Sequence, residues 1–252
     1  MKIKKMNKIV TRLGYGSGLE GEGRREWEEL FRGSQDLPAR TSDNDNNNFM
    51  PRINQEEMSI EVPQRDLCSI ERLNHDQSAV FRCIMNTVDR RESGVFFIDG
   101  PGGAGKTFLY RAIIAYLRSK GYIVLVTASS GIAATLLPSG RIAHSRFKIP
   151  INPEPSSMCN ISKQSDVAKL IWHTTAIIWN EAPMANKKTM ESLDHTLGDI
   201  LENNNPFRGK VMVMGGDFCQ VLPVVPKGNK SQMISASIVK SHLWASTKIL
   251  HL

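Results

Sequence analysis

Residues 100 to 107 read Gly-Pro-Gly-Gly-Ala-Gly-Lys-Thr, inside the stretch FIDGPGGAGKTFLY that runs from residue 97 to 110. Gly100, Gly102, Gly103 and Gly105 fall within six residues, which suits neither helix nor strand. It suits an anion cradle, because glycine lets consecutive backbone N–H groups turn inward onto one ligand. The spacing is that of G-x-x-x-x-G-K-[ST], with Ala104 inside the loop. In that pattern Lys106 reaches the β- and γ-phosphates of a nucleotide, and the Thr107 hydroxyl is placed to bind Mg²⁺. The flanks are those the chemistry needs. Val95 to Ile98 is a short apolar run of the kind that fills a buried parallel strand, and Phe108, Leu109, Ile113, Ile114 and Leu117 recur at helical spacing. The helix start adds its partial positive charge to the loop.

Four further elements end in residues of chemical interest. A second strand, Ile123 to Val126, runs into Ser129, Ser130 and Gly131 and then a helical stretch from Ile132 to Leu137. Small hydroxyl residues at a strand's carboxyl end suit phosphate contacts, or equally an ordinary strand-to-helix turn. The segment TTAIIWNEAPM places a buried strand at Ala176 to Trp179, with Asn180 and Glu181 emerging at its end. A P-loop ATPase keeps its magnesium and water-activating acids there, so Glu181 is the candidate to orient or deprotonate the attacking water; the alternative is a surface acid. A strand at Val211 to Met214 leads into GGDFCQVLPVV, where Asp217 and Gln220 follow two glycines. An uncharged hydrogen-bonding group such as Gln220 suits a γ-phosphate sensor. Upstream, Gln77 opens a helix whose Val80, Ile84 and Val88 form one apolar stripe. Its amide can read the donor and acceptor edge of adenine, or lie solvated at the helix start.

The chain divides near residue 66. Residues 1–66 include TSDNDNNNFMPR and few sustained apolar patterns, so a largely disordered segment is expected there, with EWEELFRG as a short helix inside it. From residue 67 to 252 strands and helices alternate as in an α/β domain with a mainly parallel sheet. Residues 1–66 carry 11 Lys and Arg against 12 Asp and Glu, and the remainder carries 21 against 13, a surplus of +8 that favours a polyanionic partner. Cys68, Cys83, Cys159 and Cys219 show neither C-x-x-C spacing nor a paired histidine pattern, which argues against zinc and against a disulfide framework and fits a reducing compartment. No apolar run approaches the length of a membrane span, and the basic start MKIKKMNKIVTR lacks the apolar core of a secretory signal. The oligomeric state is not set by any of these features.

Taken together, LNHDQ, GPGGAGKT, ASSGIAA, RIAHSRFKIP, IIWNEAPM and GGDFCQVLPVV resemble, in order and spacing, the PIF-type (petite integration frequency) DNA helicases of superfamily 1, especially the branch found in plants and Helitron elements. The resemblance covers about residues 68–252. It implies a RecA-like first motor domain, ATP and Mg²⁺ as cofactors, 5′ to 3′ translocation on single-stranded DNA, and work in repair, recombination and telomere maintenance in the nucleus, with the mitochondrion as a second compartment. By position it implies that Gln77 contacts adenine, that Gly102 to Thr107 hold the phosphates and magnesium, that Glu181 acts on the water and Gln220 on the γ-phosphate, and that Ser130, Gly131, His144, Ser145 and Phe147 line the DNA path. Three positions depart from the pattern: Asn180 stands where the family has Asp, Cys219 where Arg precedes the sensor Gln, and Ile142 where a Thr is usual. The sequence stops at LWASTKILHL, before the family's Asn-Met-Arg block, so the first motor domain is expected without the second. Two functional readings follow, a helicase represented by its amino-terminal motor half, or a nucleotide- and single-strand-binding module with little turnover. A P-loop enzyme of another class, such as a small-molecule kinase, is a third reading, which the ordered downstream blocks oppose.

Overall fold

The computed structural model describes residues 50–203 and 205–252. The segment TSDNDNNNF and the expected EWEELFRG helix lie outside them. Residues 50–66, which the composition assigns to disorder, belong instead to the folded unit, which begins at Met50. They form α1 (Arg52–Met58) and the start of α2 (Gln64–Cys68). What holds them is polar and long-range. The buried Asn54 amide meets His173 Nδ1 at 3.0 Å, and the buried Asp66 carboxylate accepts two bonds from the Arg111 guanidinium, at 3.1 and 3.3 Å.

A capping box starts α3 (His75–Asp89): the Asn74 side chain accepts from the Gln77 N–H and the Gln77 side chain from the Asn74 N–H, satisfying two otherwise orphaned donors. Val80, Ile84 and Val88 are its buried stripe. Then follow β1 (Gly94–Asp99), α4 (Lys106–Ser119), β2 (Ile123–Ala128), the short α5 (Gly131–Thr135), β3 (Arg141–Ile142), α6 (Ala143–Arg146), α7 (Asp166–His173), β4 (Thr174–Asn180), α8 (Lys187–Leu201), β5 (Val211–Gly216), α9 (Lys230–Ala236) and β6 (Thr247–His251). The expected strands are all present, each two or three residues longer than its apolar run. The two edge strands, β3 and β6, carry no sequence signal of that kind, because both are exposed or half-exposed.

All five strand pairings are parallel, in the order β3-β2-β4-β5-β1-β6. Every residue of β2 and β5 is buried, as expected of strands covered on both faces. The core includes Phe97, Phe147, Trp179, Leu193, Leu197, Phe207, Met212 and Met214. Burying each such side chain contributes about 1.5–3 kcal/mol. Because the sheet is parallel, the strands' carboxyl ends share one edge. The register sets Asp99 opposite Gly216, Asn180 opposite Gly215 and Ala128 opposite Asn180, so the loops after β1, β2, β4 and β5 emerge side by side. Ligands of open α/β sheets bind at that edge. The four cysteines are unpaired, and no described helix is long and apolar enough to cross a membrane.

Candidate nucleotide site

The loop from Gly100 to Gly105 turns on two glycines in the left-handed region, Gly103 at φ +84° and Gly105 at φ +82°, a conformation that costs a residue with a Cβ about 1–2 kcal/mol. Gly105 is the residue before α4, whose first turn therefore points its N–H groups into the loop. Lys106 is buried, and its ammonium donates to the Gly100 and Pro101 carbonyls at 2.5 and 3.0 Å, folding across its own loop. Thr107 is half-buried in the same first turn. Ala104 contributes a carbonyl, and Gly100 packs against Ala104 and Leu252.

Two glutamine amides rest on this loop. A Cβ built on Gly102 would sit 2.6 Å from Gln220 Nε2, and one on Gly105 would collide with Gln77 Nε2. The glycines are thus needed for close approach as well as for backbone freedom. Gln77 Nε2 donates to the Ala104 carbonyl at 3.3 Å while its Oε1 serves the α3 cap, so its amide is engaged at both ends. The turn that delivers Gln220 is built by Asp217, whose carboxylate accepts from the Cys219 N–H at 2.8 Å and whose carbonyl accepts from the Gln220 N–H at 3.2 Å. Phe218 anchors that turn in the core, stacked on Phe97 with ring centroids 4.9 Å apart and edge-on to Trp244 at 5.6 Å. The sequence reading passed over Phe218, although an aromatic between two polar turn residues is the signal of such an anchor.

Glu181 follows β4 with φ +55°, an uncommon conformation for a residue with a side chain and one that clusters at functional sites. It aims the carboxylate over Gly216, whose Cβ position would lie 3.4 Å from Glu181 Oε2. Beside it Tyr110 is fully buried against Gly215, and among the described residues its hydroxyl has no hydrogen-bond partner; burial, then the Glu181 charge, drives its pKa up. Asn180 is 2% exposed, and its amide donates to the Ala133 carbonyl in α5 at 3.5 Å. Among the described residues no cluster of three or more His, Cys, Asp and Glu could hold a metal. The hydroxyl of half-buried Thr107 is a hard-oxygen donor at the loop, of the kind a divalent cation such as Mg²⁺ takes.

The residues expected on a DNA path lie at the ends of β2 and β3. The Ser130 hydroxyl caps α5, accepting from the Ala133 N–H at 3.2 Å, and Gly131 is exposed. His144 is half-buried in α6, which pushes its pKa below the usual imidazole value, and Ser145 is exposed. Phe147 corrects the expectation. It is fully buried in the core, its ring 6.3 Å from that of Trp179, and offers no face to a base. Its apolar bulk is spent on fixing the segment, not on stacking.

The family model described as PIF1-like helicase matches residues 72–252. The chain is 32% identical over 158 residues to the ATP-dependent DNA helicase Pif1 of Psychrobacter sp., covering 62% of this chain and 24% of that protein. It is 28% identical over 159 residues to human ATP-dependent DNA helicase PIF1, covering 63% and 23%. The match thus spans about a quarter of the length of these relatives. Among solved structures, Pif1 helicase from Bacteroides in complex with ADP-AlF3 and ssDNA aligns with a TM-score of 0.57 and 26% identity over 68% of this chain and 41% of that one. The crystal structure of Pif1 helicase from Candida albicans aligns at 0.54 and 26% over 71% and 40%.

Proposed function

The chain belongs to the PIF1-like helicase family, and from that premise we propose that residues 67–252 are the first, RecA-like motor domain of an ATP-dependent DNA helicase of the plant and Helitron-like branch. The observation that carries the reading is the convergence of Gln77 and Gln220 on Gly105 and Gly102 of the phosphate loop, with Glu181 lodged over Gly216 on the neighbouring strand end. In this reading the loop N–H groups and the α4 start hold the ATP phosphates. Lys106 exchanges the Gly100 and Pro101 carbonyls for β- and γ-phosphate oxygens. Glu181 takes the proton of the attacking water, and Gln220, already against Gly102, bonds the γ-phosphate. Thr107 and the Asn180 amide oxygen would hold Mg²⁺, which when bound would neutralise charge developing on the phosphates. Gln77 gives up its loop contact to read adenine. Single-stranded DNA runs past Ser130, Gly131, His144 and Ser145, and hydrolysis drives 5′ to 3′ movement along it in repair, recombination and telomere maintenance, in the nucleus and with mitochondria as a second compartment.

A second reading is favoured by one observation. Asn180, where the resemblance implies an Asp, is buried on the Ala133 carbonyl, and its neutral amide would bring no negative charge to a bound Mg²⁺. The chain is then a nucleotide- and single-strand-binding module with slow turnover. Titration with a fluorescent ATP analogue tests the shared premise. Lys106→Ala should weaken binding at least tenfold, and equal affinity would overturn the phosphate-loop assignment. DNA-stimulated phosphate release separates the readings, being rapid for the first and near background for the second.

A further inference from the structure

The helix that starts at the phosphate loop ends in an ion cluster that also holds the proposed DNA segment. Arg111 and Arg118 are seven residues apart on α4 and therefore share one face. Arg111 donates to Asp66 and to the Leu136 carbonyl at 3.4 Å; Arg118 donates to the Pro138 and Val124 carbonyls at 3.3 and 3.4 Å. Leu136 and Pro138 belong to the loop that joins Ser130 and Gly131 to His144 and Ser145. At the far end sits Glu57 of α1. Its Oε1 accepts from Arg146 Nη2 in α6, and its Oε2 lies 4.0 Å from Arg118 Nη2. All three side chains are at most 8% exposed.

This cluster is charge-unbalanced and incompletely bonded. One carboxylate faces two guanidiniums, and among the described residues Arg118 Nε is buried with no hydrogen-bond partner. Burial lowers the Arg118 pKa, with Glu57 opposing and Arg146 adding to the effect. The 4.0 Å gap to Arg118 exceeds a charged hydrogen bond by about 1 Å. Helix shifts of about 1–2 Å are a common switching amplitude. Movement of α4 along its axis would therefore decide whether Glu57 serves Arg146 alone or both arginines.

We propose that Glu57 is a positioning residue that couples the two ligand sites: its carboxylate, shared between Arg118 at the end of the phosphate-loop helix and Arg146 beside His144 and Ser145, makes occupancy of one site alter affinity at the other. The proposal rests on the nucleotide and DNA sites proposed above. α4 carries the change over about 18 Å from Lys106 to Arg118, at 1.5 Å per residue. Glu57 sets how Arg146 is held, and Arg146 orients the two residues before it.

The test is a binding cycle that needs no hydrolysis. Affinity of the full chain for a fluorescent oligo-dT is measured by anisotropy with and without saturating Mg²⁺ and a non-hydrolysable ATP analogue. The parent should show a ratio of about fivefold or more, the usual lower range of coupling. Glu57→Gln keeps the shape but leaves two buried guanidiniums without a counter-charge and can fail to fold. Arg146→Met leaves a balanced Glu57–Arg118 pair and serves as the second variant. The ratio should fall below about twofold in each folded variant while nucleotide affinity stays within about twofold of the parent. Asp66→Asn, which loosens Arg111 and not Arg146, should keep the parent's ratio. A retained ratio in Arg146→Met, an equal loss in Asp66→Asn, or a parent that binds both ligands independently overturns the inference. A parent that binds neither ligand overturns the site assignment itself, and this inference with it.

Discussion

Replacing Asn180 by Asp introduces the carboxylate that the family resemblance implies at this position, with opposite effects expected without and with a bound metal. Asn180 is 2% exposed, and its side-chain amide donates to the Ala133 carbonyl at 3.5 Å. The introduced carboxyl has no donor for that carbonyl when ionised. Losing the bond costs about 1 kcal/mol, and a buried unpaired charge adds several kcal/mol unless the group takes up a proton. A net loss of about 2–3 kcal/mol near neutral pH is expected in EDTA, or about 5–10 °C in melting temperature for a folded unit of about 200 residues. The introduced group's folded pKa is raised, so the deficit is full above that value and vanishes as pH falls below about 3.9, its unfolded value. With Mg²⁺ and an ATP analogue the sign reverses. One unit of charge about 4 Å away contributes on the order of 4 kcal/mol at an effective dielectric of 20. Thermal melts in EDTA, in Mg²⁺ and in Mg²⁺ with analogue should show a variant that starts lower than the parent and gains more. DNA-stimulated phosphate release by the variant should exceed the parent's by roughly a hundredfold, about 2.7 kcal/mol in the barrier. Equal melting in EDTA and an equal gain with Mg²⁺ and analogue would refute the reasoning.

Phe147→Ala should destabilise the fold by about 3–5 kcal/mol in urea melts, as removal of a core aromatic does, whereas Phe147→Leu should keep single-strand affinity within about twofold. Affinity for single-stranded oligonucleotides should fall steeply with salt and show little base preference, because residues 67–252 carry a surplus of +8; a flat salt dependence removes the nucleic-acid reading. Lys210 donates to the Trp172 carbonyl at 2.8 Å, and burial pulls its pKa down to about 8. Its unfolded pKa is higher, so the penalty is full below pH 8 and is relieved as pH rises from about 8 to about 10.5. Lys210→Met should therefore be more stable than the parent by about 1–2 kcal/mol at pH 7, with the difference closing by about pH 10 in parallel denaturant titrations.

Local chemistry alone determined much of this protein. The turn of the glycine loop was legible because glycine adopts φ near +80°, as at Gly103 and Gly105, without the strain a Cβ brings. The four central strands were legible because strands buried on both faces must be apolar throughout. Their parallel order then required the chemically interesting loops to share an edge. What the sequence could not show depended on partners distant along the chain. Asn54, Glu57 and Asp66 read as solvated polar residues of a disordered segment, and each is buried through a partner 119, 89 or 45 residues away. Phe147 sits in a block that read as a DNA path, and only packing against Trp179 assigns it to the core. Gln77 and Gln220, 143 positions apart in the chain, meet one loop, Gln220 because β5 lies beside β1 and Gln77 because α3 packs against β1 and α4. Patterns of period two or 3.6 report which face of an element is covered; which carboxylate meets which guanidinium is settled only when the elements have packed.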